Sequence, residues 1–127
     1  VPVLKSHGGA RLTVAMKNLM GIVWDRGEWH ANDLHQCIAD FASYRKPDLN
    51  VVDAYNVMMR HGPRGVSAAD VVNMQSQLLS TDLVTADAAA AKLFGLEPDT
   101  VGYIRLAREM GAGRGDLENL AIQRIVL

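Results

Sequence analysis

Residues 1–21, VPVLKSHGGARLTVAMKNLMG, decide the fold. A short apolar run, Val1-Pro2-Val3-Leu4, ends in Lys5-Ser6-His7, and two glycines follow. The β-branched apolar residues predict a short strand buried on both faces, with Pro2 tolerable near its start. Leu12, Ala15, Met16 and Leu19 then recur at helical spacing, which predicts a helix over Arg11–Met20 stopped by Gly21. On such a helix Thr13 and Lys17 share a face. Strand, polar turn and helix in this order place several polar side chains at the carboxyl end of a strand, where open α/β sheets build their sites.

Working outward, Ile22-Val23-Trp24 is expected to be extended and Asp25–Glu28 a turn. Asp33 with Gln36 three residues on forms a capping-box pattern. Leu34, Cys37, Ile38 and Phe41 mark the buried face of a helix that runs to about Arg45 and ends before Pro47. Leu49–Ala54 reads as a strand with Asp53 near its carboxyl end, and Val72–Leu79 as another. Residues 61–65 carry loop chemistry. Ser80-Thr81-Asp82 offers N-caps to an alanine-rich helix, Leu83–Phe94, stopped by Gly95. Pro98 opens a further helix to Met110, Gly111, Gly113 and Gly115 form a flexible exit, and Leu120–Val126 is a last strand. The expected order is β-α-α-β-β-α-α-β: an α/β fold, a mixed or mostly parallel sheet of about four strands with helices packed on it.

The chain has 127 residues, 49% of them hydrophobic, which suits a single domain spanning 1–127. The chain opens on Val1 without a leader, so the expected parent is a longer protein of which this is a piece. The net charge of -1, with dispersed arginines, carries no basic stripe and argues against nucleic acid as a partner. No apolar run approaches the roughly 20 residues of a membrane span. The single cysteine, Cys37, cannot supply the thiolates of an iron–sulfur cluster, so no such cluster is expected within this chain. Cys37 itself falls on an apolar helical face.

Four blocks in this order, VPVLKSHGGARLTVAMKNLMG, WHANDLHQCIAD, KPDLNVVDA and STDLVTADAAAAKLFG, resemble the Domain of Unknown Function 362 family across nearly the whole chain. The Lys-x-His…Lys-Asn-x-x-Gly and Ser-x-Asp…Ala-Asp-Ala blocks are the specific ones; Leu83 stands where the family often has proline. Family members are bacterial and archaeal and generally longer. Many carry ferredoxin-like iron–sulfur segments or twin-arginine export signals. The resemblance therefore implies a redox neighbourhood, a ferredoxin-like remainder of the parent as partner, and export wherever the parent carries that signal, with the cytoplasm the alternative. It supplies no catalytic residues.

Those must come from the side chains. Lys5, His7, Lys17 and Asn18 surround the first turn and suit a small anion, with Lys17 or His7 as acid or base and Lys5 holding negative charge. Asp53, at an expected strand end, and Asp87, on the apolar stripe of the alanine-rich helix, are further ligand-binding candidates. A carboxylate on such a stripe needs a partner or a raised pKa, and Lys5 or Lys17 could be that partner. His30 and His35 are weaker metal candidates, since a spacing of five matches no metal signature. Gly111–Gly115 opens no helix and so is no phosphate loop. Two functions follow: a ligand- or cofactor-binding domain of a redox-associated protein, performing proton or electron transfer if catalytic, or a non-catalytic domain that docks an iron–sulfur module or partner subunit.

Overall fold

A computed structural model describes residues 1–126. It contains four strands, β1 (Val3–His7), β2 (Arg11–Thr13), β3 (Asn50–Met58) and β4 (Val71–Ser80), in sheet order β2-β1-β3-β4. β1 and β3 run parallel; β2 and β4 pair antiparallel at the edges. Five helices complete the fold: α1 (Ala15–Asn18), α2 (Arg26–Ala31), α3 (Leu34–Tyr44), α4 (Leu83–Leu93) and α5 (Gly102–Glu109). The architecture is α/β with a mixed sheet of four strands, as the residue pattern predicts.

The core lies between the sheet and the helices. Leu4, Leu12, Val52, Ala54 and Val57 point into it from the strands and are fully buried. The small residues Ala86, Ala90 and Ala91 let α4 lie close to its neighbours. By strand alternation the opposite sheet face carries Val3, Tyr55 and Leu79, which are exposed. The helices thus cover one face of the sheet.

Three expectations that bear on the sheet need correction. Arg11–Met20 is not one helix. The glycines after His7 let the chain reverse, Arg11 takes a φ of 63°, and Arg11–Thr13 pairs with β1 as Lys5–Thr13, Ser6–Leu12 and His7–Arg11. Only then does α1 start, continuing as a single 3-10 turn over Leu19–Ile22. Pairing with the free edge of β1 wins over helical periodicity because it satisfies backbone groups that the turn had already brought alongside. Second, this hairpin supplies the fourth strand; Leu120–Val126 has no strand pairing, and Ile122, Ile125 and Val126 lie exposed. Third, β3 extends past Ala54 to Met58, which leaves Asp53 in mid-strand, opposite Gln77.

Local signals elsewhere match their structures in part. Asp82 N-caps α4 through Val84 and Thr85, and Asp33 caps α3 through His35 and Gln36. The Gln36 side chain does not reach back to complete the box; it donates to Asp40 instead. Asp25 caps α2 where a plain turn was expected. Val101 separates α5 from a 3-10 turn at Pro98–Thr100, so the expected helix from Pro98 to Met110 is split. Residues 111–115 are docked rather than a loose exit: the Arg114 N–H donates to Asp82 and the Thr85 hydroxyl to the Arg114 carbonyl.

Candidate functional site

The parallel pair ends at His7 and Met58, so two loops leave the sheet side by side. Loop 8–10 is pinned by His7, whose Nδ1 accepts from the Ala10 N–H at 3.1 Å. That bond fixes the neutral imidazole with its proton on Nε2. The loop after β3 lies against β1: the Gly62 N–H donates to the Ser6 hydroxyl at 2.9 Å.

Lys5, His7 and Lys17 lie within electrostatic reach of one another at this end of the sheet. Burial first, then the charges of Lys17, His30 and Lys5, push His7 down to about 4. Burial first, then Lys5, lowers Lys17. Lys17 is only 9% exposed, and its ammonium meets the sulfur of Met20 at 3.4 Å. His30 from α2 stacks on His7, with ring centroids 6.2 Å apart. Thr13, opposite Lys5 in the β1–β2 ladder, has a buried hydroxyl oxygen without a hydrogen-bond partner. Among the described residues no ion pair includes Lys5 or Lys17. The result is a set of hydrogen-bond donors and positive charges that lacks a protein counter-ion.

The other candidates lie apart. Asn18 is exposed. Asp53 is half-buried and accepts from the Tyr55 N–H at 2.9 Å. Asp87 is completely buried and bound to neither lysine. Its carboxyl accepts from the Ala15 N–H at 2.8 Å and from the Met16 N–H, capping α1 from across the core. Burial pushes its pKa up to about 8, against the pull of those bonds. The Tyr103 hydroxyl faces the same carboxyl without closing a well-formed bond. The two metal candidates separate: His35 Nδ1 accepts from the Tyr103 N–H at 3.1 Å, and its ring stacks on Tyr103, while His30 sits with His7.

One carboxylate that shapes the site escaped the reading of the sequence. Asp70 is buried and accepts from the Val66 and Ser67 N–H groups, and pairs with His61 at 2.7 Å. It gathers the loop after β3. Its signal was present in Ser67-Ala68-Ala69-Asp70, a serine and acid at capping-box spacing, and the box is formed. The Val66 bond first, then His61 and Ser67, hold Asp70 down to about 2, against an ordinary value of 3.8. A depressed acid contributes stability above its unfolded pKa and loses it as pH falls through the folded one. Asp70→Asn should therefore be less stable than wild type at pH 7, with the gap closing towards pH 2. Urea midpoints at both ends of that range check this; a gap independent of pH would reject it.

A mixed α/β domain with a cationic cluster at the carboxyl end of its parallel pair is the class that these features define. The model of the Domain of Unknown Function 362 (DUF362) family matches residues 1–92, so the chain belongs to that family. The matched region includes the whole cluster and ends within α4. A thylakoid-associated protein from Synechocystis sp. is 26% identical over 119 residues, which is 87% of this chain and 36% of that protein. The chain thus spans about a third of the length of this curated relative. No solved structure matches it. Among the described residues no helix is long and apolar enough to cross a membrane.

Proposed function

We propose that this domain binds a small organic anion or anionic cofactor between Lys5, His7 and Lys17, as part of a larger redox-associated protein. One observation carries the reading: Lys17 is a buried amine beside a second lysine and an imidazole, with no carboxylate paired to it. Like charges held together cost free energy, and a bound anion relieves that cost while taking up the unused donors. His7 contributes a neutral N–H donor, Lys5 a charge, and the half-buried setting strengthens each contact. Lys17 and His7 are then the groups placed to exchange a proton with the ligand.

A ligand that binds only the folded chain at about 100 times its Kd adds roughly 2.7 kcal/mol of stability. For a domain of this size that raises Tm by on the order of 10 °C. Lactate, succinate and inorganic phosphate are suitable probes in a thermal-shift titration. At least one should raise Tm, and Lys17→Met with His7→Ala should abolish the rise. Lys17→Met alone, which removes only an unpaired buried amine and leaves the His7 contact that pins loop 8–10, should show the same loss. No shift from any anion, or the same shift in the double variant, would overturn the reading.

The open sheet face supports a second function. Val3, Tyr55 and Leu79 are exposed on a face that the helices leave free. Apolar residues there suit docking of an iron–sulfur module or another part of a longer protein. Under this reading Tyr55→Lys with Leu79→Lys abolishes copurification with the remainder of the parent protein and leaves any anion-induced shift in Tm unchanged. Copurification that survives both changes removes it.

A further inference from the structure

We propose that Lys17 is an amine nucleophile that condenses with the carbonyl of a small 2-oxo acid held in the cluster. The inference rests on the anion-binding reading and goes beyond it by naming the ligand class and a covalent step. Its geometric basis is the surroundings of Lys17. The residue is 9% exposed, and its Nζ has the Met20 sulfur at 3.4 Å. A thioether is a weak acceptor and cannot balance an ammonium. Lys5 from β1 and His7 at its end are the titratable groups whose charges reach it, with His30 from α2 stacked on His7, and none is acidic. A buried amine in such company gives up its proton more readily than an exposed one. Burial and Lys5 lower Lys17 in that direction. Burial and a neighbouring cation are the conditions that ready a lysine to attack carbonyls.

The remaining groups select the substrate. Lys5 is a charge for the carboxylate, and the Nε2–H of His7 donates to the carbonyl oxygen. A carbonyl next to a carboxylate meets both requirements, which a simple aldehyde or a saturated acid does not. In the step, the Nζ lone pair forms a C–N bond and the carbonyl π pair moves to oxygen. The two protons of the amine nitrogen leave with that oxygen as water, and an imine remains on Lys17. No oxidant or reductant is consumed.

The whole chain, treated with pyruvate and cyanoborohydride at neutral pH and then digested, reports the site of condensation by peptide mass spectrometry. The expected result is a reduced adduct on Lys17 that forms several-fold faster than on the exposed Lys46 and Lys92. Lactate, which keeps the carboxylate and lacks the carbonyl, should slow trapping and leave no adduct. Lys17→Arg should lose the fast adduct. The comparison among lysines of the unaltered chain stands even where that variant folds poorly. Labelling of Lys17 no faster than Lys46 and Lys92 overturns the inference. A lactate-induced rise in Tm without fast labelling removes the condensation alone. Neither response removes anion binding as well.

Discussion

At pH 4, Asp87→Ala should unfold with about 3 kcal/mol less free energy than wild type, and at pH 8 that gap should narrow. The loss comes from α1. This helix has four residues and no capping bond from its own flanking side chain. Its first N–H groups, at Ala15 and Met16, are buried and are satisfied by Asp87 from 72 and 71 residues away. Alanine leaves those donors without acceptors; each stranded buried group costs roughly 1–3 kcal/mol. The strongest consequence falls on the candidate site, because α1 carries Lys17.

The pH dependence follows from burial. Asp87 rises from 3.8 to about 8 in the folded chain. A raised acid contributes its full stability below the unfolded pKa and loses it as pH climbs through the folded value. Between pH 4 and 8 the wild type therefore weakens, because folding must take up a proton at Asp87. A shift of this size corresponds to several kcal/mol across the window, at about 1.4 kcal/mol per pKa unit. Asp87→Asn separates the two effects. Its amide oxygen can still accept from α1 but never titrates, so it should match wild type near pH 4 and exceed it by a few kcal/mol at pH 8. Urea unfolding of the three proteins at both pH values is the measurement. Parallel curves for wild type and Asp87→Asn would show that Asp87 does not change its protonation on folding.

What could be read from the residues was short in range. Asp82 announces its helix because its acceptors' donors are the next backbone groups along, at Val84 and Thr85. Gly95 stops α4 with a φ of 86°, again a local property. Lys5, His7 and Lys17 group in the sequence because they occur within one stretch that any strand-turn-helix arrangement keeps compact. The errors share another cause. Arg11–Thr13 has a helical pattern whose conformation is decided by the edge of β1. Charge alone matches Asp87 with lysines, whereas its partners are backbone donors brought near by packing. Leu120–Val126 is apolar enough for a strand but finds no partner edge. Periodicity names what a segment prefers; pairing and burial between distant segments decide what it does.

Gly62→Ala is the second large effect, and it tests how the loop after β3 is seated. A Cβ at this position would come within 1.9 Å of the Ser6 carbonyl oxygen and 2.6 Å of its carbonyl carbon. These are backbone atoms of β1, held by β2 on one side and β3 on the other, so they cannot swing aside. The loop must lift instead, which breaks the bond from the Gly62 N–H to the Ser6 hydroxyl. Overpacking of this kind costs roughly 1–3 kcal/mol, and the lost hydrogen bond adds about 1 kcal/mol. The urea midpoint should fall accordingly. Gly8→Ala is the matched control, since a Cβ there meets nothing within 4 Å. The lifted loop lies beside Ser6, between Lys5 and His7, so Gly62→Ala should also weaken any anion-induced rise in Tm while Gly8→Ala preserves it. A Gly62→Ala protein with the wild-type midpoint would mean that this loop does not rest on β1, and the shape drawn for the site beside it would fall with that contact.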